Sequence, residues 1–187
     1  RNVVEAVPSG GTLFVSNSMP ARDLDAFGGV RDQDIRVLGN RGASGIDGIV
    51  STALGVAAGA RQPVVALLGD IALLHDGNGL LATREADAKV VFVLVNNDGG
   101  GIFHFLPIRE HELHFTRLFA TPHGIDPARL AALYDVPYQL VEPGGVGEAV
   151  RVALAGSGSR LLEVRSDRED NRRRREAVVD AVRAAVA

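Results

Sequence analysis

Along the chain, short apolar runs alternate with longer stretches whose apolar residues recur at helical spacing. Residues 12–15, 35–38, 64–68, 90–95, 138–141 and 161–164 read as strands. The third and fourth are the continuous runs VVALL and VVFVLV, without polar alternation. Runs of that kind belong to central parallel strands covered on both faces. Helical spacing marks 46–60, 73–86, 126–134, 147–155 and 168–187, and 126–134 opens with Asp126 and Pro127, a favourable helix start. The alternation predicts an α/β fold: a doubly wound, mainly parallel six-stranded sheet with helices on both faces. Residues 99–123 show no regular pattern, and long loops in compact domains usually serve function.

Composition narrows the class. The chain has 187 residues, the size of one ordinary domain, and is 46% hydrophobic and 23% charged, as soluble globular proteins are. A net charge of −3 gives no strong pull toward nucleic acid or anionic membrane. The absence of Cys excludes disulfides, thiolate zinc sites and Cys nucleophiles. Lys89 is the only lysine, so Schiff-base or P-loop lysine chemistry has no other candidate. No run reaches the roughly 18 apolar residues of a membrane helix, and no signal-peptide pattern is present. The expectation is a cytoplasmic protein. Because the chain begins at Arg1 without Met, the expectation is also that residues 1–187 are one domain of a larger protein.

Ligands of open parallel sheets bind beyond the carboxyl ends of the strands. Those ends carry Ser16-Asn17-Ser18, Gly39 through Gly45, Gly69-Asp70, and Asn96-Asn97-Asp98-Gly99-Gly100-Gly101. Asp70 and Asn97 are 27 residues apart, about one strand–crossover–strand unit. They would therefore end neighbouring strands on one edge. A carboxylate, an amide oxygen and a glycine carbonyl make three hard oxygen ligands, with room left for phosphate oxygens around Mg²⁺. Spacing alone leaves a second reading open, with Asp70 as a helix N-cap and 96–99 as a turn.

The residues resolve this through a resemblance. Gly69-Asp70 followed by Asn96-Asn97 resembles the Gly-Asp…Asn-Asn motif of thiamine diphosphate enzymes, with Ile71 where Gly is commonest. That resemblance implies thiamine diphosphate with Mg²⁺ (or Mn²⁺) as cofactors, and Asp70, Asn97 and the Gly99 carbonyl as metal ligands. It implies Ser44, Gly69, Ile71, Ala72 and Gly101 around the cofactor. The segments Asn40-Arg41-Gly42-Ala43-Ser44-Gly45-Ile46-Asp47-Gly48 and Asn96 through Phe103, together with Asn17-Ser18 and Arg22, are similar to the MenD family of menaquinone biosynthesis. That family condenses 2-oxoglutarate with isochorismate. The resemblance spans essentially the whole chain and matches the C-terminal, diphosphate-binding domain. It implies Ile46 as the prop for a bent cofactor, and Ser18, Arg22, Arg41, Ile102 and Phe103 on the substrate side. Arg suits polycarboxylate substrates because it binds carboxylates in bidentate fashion. The glutamate that activates the cofactor would lie on a separate pyrimidine-binding domain, contributed by a second subunit of a homo-oligomer. No Glu here matches it, so the chain alone is expected to be inactive. The rivals are the same domain of an acetolactate synthase-like decarboxylase, and a non-catalytic α/β binding module.

Other patterns carry less. Gly77-Asn78-Gly79-Leu80-Leu81-Ala82 fits a dinucleotide fingerprint but begins several residues beyond its strand, which favours helix packing. His104, His111, His114 and His123 invite a zinc reading, although His111 and His114 are one residue short of the zincin spacing and surface loop histidines are the simpler account. Gly42 through Ile46 superficially resembles a nucleophile elbow but lacks its second Gly. Arg172 through Arg175, diluted by acids, reads as a solvated helix face. Val178, Val179, Val182 and Val186 on the same helix are expected to pack against the domain edge.

Overall fold

Six parallel strands form one sheet in the computed structural model, which describes residues 1–30, 32–40, 45–84 and 88–187. In chain order the elements are α1 (Asn2–Ala6), β1 (Thr12–Val15), α2 (Met19–Phe27), β2 (Arg36–Leu38), α3 (Ile49–Ala60), β3 (Val64–Gly69) and α4 (Asp70–His75). A 3-10 segment (Gly77–Arg84) and β4 (Val90–Asn96) follow. Then come short helical turns that include α5 (Glu112–Phe115), and after them α6 (Pro127–Leu133), β5 (Tyr138–Leu140), α7 (Val146–Ala155), β6 (Arg160–Arg165) and α8 (Arg168–Val186). The strand order is β2-β1-β3-β4-β6-β5.

Successive strand residues point to opposite faces, and the core divides accordingly. On one face Val90, Phe92 and Leu94 of β4 join Val64, Ala66 and Leu68 of β3 beneath Ile49, Ala53 and Ala57 of α3. On the other, Val91 and Val93 join Val65 and Leu13 beneath Val4 of α1 and Val150 of α7. The doubly covered sheet is the one the uninterrupted runs predict. Among the described residues, no helix is long and apolar enough to cross a membrane.

Besides α1 and α2, which the sequence reading did not mark, three regions depart from it. The helix expected over 73–86 is instead Asp70–His75 followed by a 3-10 segment, Gly77–Arg84, with 85–86 outside the described residues. The break lets the Asp76 carboxylate accept from Ser51 N–H (2.7 Å) and Ser51 Oγ (3.0 Å), capping the start of α3, which has no side-chain cap at its own Gly48. Gly79 serves this packing, since a Cβ there would lie 2.6 Å from Ser51 Oγ. Within 99–123, expected to be irregular throughout, residues 101–120 form a string of 3-10, α and π turns around Phe103, Phe115 and Phe119, while 99–100 and 121–123 have no regular structure. Lastly, α8 buries none of its residues, and Val178, Val179, Val182 and Val186 stay exposed instead of packing on the domain edge. Of the four arginines expected to form a solvated face, Arg173 and Arg174 do so, paired with Asp170, whereas the Arg172 and Arg175 side chains are only 15% and 22% exposed.

Candidate functional site

The chain turns to β2 on one side of β1 and then to β3 on the other, so the strand order reverses at β1. A reversal of this kind opens a crevice at the carboxyl ends of the flanking strands. A cleft of about 680 Å³ lies there, lined by residues 16–18 after β1, Ile46, residues 69–72 after β3, and Asn97 with 99–103 after β4. The register sets Gly69 opposite Val95, which brings Asp70 level with the Asn96-Asn97 end of the next strand.

Asp70 is the organising group. It is 4% exposed and is the first residue of α4, with Gly69 in the N-cap position, so it is not the helix cap that spacing alone allowed. Its Oδ1 accepts from Ile71 N–H at 2.8 Å. Its Oδ2 accepts from Asn97 N–H (3.2 Å) and Gly99 N–H (2.8 Å), and His123 Nε2 lies 3.2 Å away. The carboxylate thus folds the 97–99 backbone around itself. Asn97 Oδ1, by contrast, is buried and accepts no hydrogen bond among the described residues, and Ser16 Oγ just after β1 is in the same state. A buried amide oxygen without a donor costs about 1–3 kcal/mol, and this one lies on the wall of the cleft.

The glycines here are required by contact. Gly99 has φ +136°, and a Cβ on it would overlap Ala120 O. A Cβ on Gly100 would overlap Phe119 O, and one on Gly101 would overlap Asn97 Nδ2. Backbone therefore lies against backbone at Gly99 and Gly100, and against the Asn97 side-chain amide at Gly101.

The residues singled out from the sequence fall into three groups. Ser18, Ile46, Gly69, Asp70, Ile71, Ala72, Asn97, Gly99, Gly101, Ile102 and Phe103 all border the one cleft. Arg22 does not border it; its Nη1 donates to Ser18 O at 2.8 Å and so braces the turn into α2. Arg41 and Ser44 lie outside the described residues. The chain on either side of them is tied down, since Asn17 Nδ2 donates to Asn40 O (2.6 Å) and Gly45 O (2.5 Å). At the outer rim Arg175 of α8 pairs with Asp23 (2.6 Å) and lies over the rings of Phe27 and Phe105. Burial raises the Asp23 carboxyl, and the Arg175 guanidinium offsets only part of that.

The reading of the histidines as surface groups holds for His111 and His114 but not for the other two. His104 is 6% exposed, edge-on to Phe115, and burial holds its imidazole below the usual range. No cluster of His and acids fit for a zinc-type site occurs among the described residues. Sequence reasoning also missed the brace behind the loop. Asp98 accepts from Gly124 N–H (2.8 Å) and His123 N–H (3.0 Å), contacts that hold its carboxyl low, while Arg168 of α8 donates to Asp98 O. Asn96 Oδ1 accepts from Asp98 N–H at 3.0 Å, and Asn96 Nδ2 donates to the fully buried Glu163 at 2.8 Å. Only the spacing within Asn96-Asn97-Asp98 hinted at this, as an Asx-type turn.

Comparison with known proteins agrees with this geometry. The family described as thiamine pyrophosphate enzyme, C-terminal TPP binding domain, matches residues 33–164. Among curated relatives, 2-succinyl-5-enolpyruvyl-6-hydroxy-3-cyclohexene-1-carboxylate synthase of Halobacterium salinarum is 49% identical over 183 residues, covering 96% of this chain and 31% of the relative. The synthase of the same name from Chloroflexus aurantiacus is 52% identical over 166 residues, covering 88% of this chain and 28% of the relative. The chain thus spans about a third of the length of these relatives. Among solved structures, benzoylformate decarboxylase from Polynucleobacter necessarius superposes with a TM-score of 0.68 at 21% identity, covering 89% of this chain and 32% of that one, and so shares the fold. By fold, by cleft and by the family match over most of its length, the chain belongs to the C-terminal thiamine pyrophosphate-binding domains of thiamine pyrophosphate enzymes.

Proposed function

We propose that residues 1–187 are the diphosphate- and Mg²⁺-anchoring domain of a longer synthase that decarboxylates 2-oxoglutarate and adds the product to isochorismate in menaquinone biosynthesis. The observation that carries the cofactor part is the buried, undonated Asn97 Oδ1 beside the Asp70 carboxylate. The high identity to synthases of one name carries the substrate part.

The residues present fit the group. Asp70 Oδ1 has one donor and keeps acceptor capacity. Asn97 Oδ1 has none, and Gly99 O accepts only from Gly101 N–H among the described residues, leaving a lone pair. Three hard oxygens suit an octahedral Mg²⁺ that keeps phosphate and water ligands. Gly69, Ala72 and Gly101 give the diphosphate close access to backbone, with Ile71 beside it, and Ser44 is assigned to it on the sequence resemblance alone. Ile46, half-buried against the α3 face of the core, is stiff enough to prop the cofactor. When bound, thiamine diphosphate supplies the carbanion stabilisation that decarboxylation of a 2-oxo acid needs.

This chain's own residues do the rest of what its half of a site can do. Ile102 and Phe103 exclude water from the cleft. Ser18 and Arg41 orient substrate carboxylates, and Arg22 acts on the substrate side through the Ser18 turn that it braces. The proton-activating glutamate belongs to a pyrimidine-binding domain on a second subunit, so the domain alone turns nothing over. The enzyme is a cytoplasmic homo-oligomer in this reading.

Calorimetric titration of the full-length protein with Mg²⁺ and thiamine diphosphate tests the site. Asp70→Ala and Asn97→Ala are each expected to weaken binding by more than about 100-fold, beyond the range typical of outer-shell partners. Unchanged binding in both would refute the metal site. Turnover with pyruvate but not with isochorismate would refute the substrate assignment.

A further inference from the structure

One donor to Asp70 comes from a side chain far along the chain. His123 follows Thr121, whose backbone is left-handed (φ +42°), and its ring is 12% exposed. Two contacts fix where its proton sits. Ile125 N–H donates to Nδ1 at 3.0 Å, so that nitrogen presents its lone pair and the proton of the neutral ring is on Nε2. Nε2 lies 3.2 Å from Asp70 Oδ2. Asp98 Oδ1 is 3.5 Å from Nδ1, but it is already engaged by His123 N–H and Gly124 N–H. The imidazole therefore donates in one direction, to Asp70.

The carboxylate has about four acceptor positions. Oδ2 takes three donors, from Asn97 N–H, Gly99 N–H and His123 Nε2–H, while Oδ1 takes one, from Ile71 N–H. At about two positions per oxygen the backbone N–H groups of Asn97 and Gly99 already fill Oδ2, the His123 contact is a third one on that oxygen, and Oδ1 with its single donor holds the open position.

We propose that His123 is a positioning residue whose Nε2–H tautomer, set by Ile125 N–H, adds a side-chain clamp on Asp70 Oδ2 to the two backbone donors there and so fixes the carboxylate's orientation with Oδ1 turned to the cation. This rests on the metal-site reading given above. It makes the 121–125 segment part of the machinery that loads the metal, although none of its side chains is a ligand. Outer-shell hydrogen bonds of this type hold the ligand's orientation and its basicity. The His123 backbone is anchored to Asp98 independently of its ring, so side-chain substitutions leave the segment's path in place.

The test is electron paramagnetic resonance titration of the full-length protein with Mn²⁺, in the presence of thiamine diphosphate. In His123→Gln an amide N–H reaches the place of Nε2; in His123→Asn it reaches only that of Nδ1. Mn²⁺ affinity is expected to fall about 10- to 100-fold in His123→Asn and His123→Ala. In His123→Gln it is expected to stay within about threefold of wild type, with the wild-type Mn²⁺ hyperfine pattern kept. Should His123→Ala fail to fold, the Asn and Gln pair decides. Equal affinity in Asn, Gln and wild type overturns the proposal, and so does an equal loss in Asn and Gln, which would assign the effect to packing. Asp70→Ala separates the two readings: if it binds Mn²⁺ as wild type does, the metal site itself is wrong; if it loses Mn²⁺ while the His123 variants do not, only the role of His123 falls.

Discussion

Glu163 offers the sharpest test of how the sheet shapes the loop. It is fully buried at the end of β6, opposite Leu94 of β4 and Leu140 of β5. Tyr138 Oη donates to its Oε2 at 2.5 Å, Asn96 Nδ2 donates to Oε1 at 2.8 Å, and Arg165 Nε donates at 3.0 Å from a solvent-exposed position. Glu163→Ala strands two donors, Tyr138 Oη and Asn96 Nδ2. At about 1–3 kcal/mol for each unsatisfied donor the ceiling is about 6 kcal/mol. Both residues are only partly buried and can recruit water, so the expected cost is about 2–3 kcal/mol. Arg165 adds little because exposed pairs are worth about 0–1 kcal/mol. Tyr138→Phe, which removes one donor, should cost about 1–2 kcal/mol, and the double-mutant cycle should return a coupling of about 1–2 kcal/mol. Urea denaturation followed by circular dichroism at neutral pH measures all three.

The same network sets a pH signature. Burial alone would raise the Glu163 carboxyl, but the donors from Tyr138, Asn96 and Arg165 outweigh it and hold the group below its ordinary 4.5. A depressed carboxyl contributes stability above its unfolded pKa and loses it as pH falls through the folded one. Glu163→Gln should therefore flatten the acid limb of the stability profile. Tyr138 is pushed up to about 12, first by burial and then by its bond to Glu163. Its contribution is complete below 10.0 and fades as pH rises toward about 12, which ultraviolet difference titration would follow. A cost below about 1 kcal/mol for Glu163→Ala, or zero coupling with Tyr138, would refute the reasoning, because it would mean the network is hydrated as well unfolded as folded.

Two further outcomes are expected. Gly99→Ala places a Cβ against Ala120 O at φ +136°, a backbone region costing about 1–3 kcal/mol for a non-glycine residue. It should lower the melting temperature and abolish calorimetric Mg²⁺–thiamine diphosphate binding, and normal binding would count against the loop geometry. Lys89→Met removes the ammonium that donates to Leu154 O (2.5 Å) and Gly156 O at the end of α7. The expected loss is about 1–2 kcal/mol, or roughly 2–8 °C in calorimetric melting at this size, and an unchanged melting point would show those carbonyls to be satisfied by water.

All six strands were legible because their cue is local: VVALL and VVFVLV cannot sit at a half-wet edge. The metal loop was legible because Asp70 and Asn97 end adjacent strands, and one crossover length separates them. Helix α2 was not foreseen, since Pro20 in its first turn reads as a break until it is seen at a helix start. The helix over 73–86 was overextended because Asp76 is claimed by Ser51 of another helix, a contact that no local propensity encodes. The valines of α8 carry a correct helical period, but period identifies an apolar face without saying what covers it.

The sequence by itself determined the sheet, the two covered faces and the place of the cleft, because hydrophobic period and loop chemistry act over a few residues. Tertiary structure decided the state of each group within the cleft. It supplied Asp70 with donors from residues 27, 29 and 53 positions away, left Asn97 Oδ1 without one, and turned His123 from a loop histidine into a partner of the carboxylate. Hydrogen bonds are directional and short, so which donor meets which acceptor is set only once the strands have fixed where each loop must return.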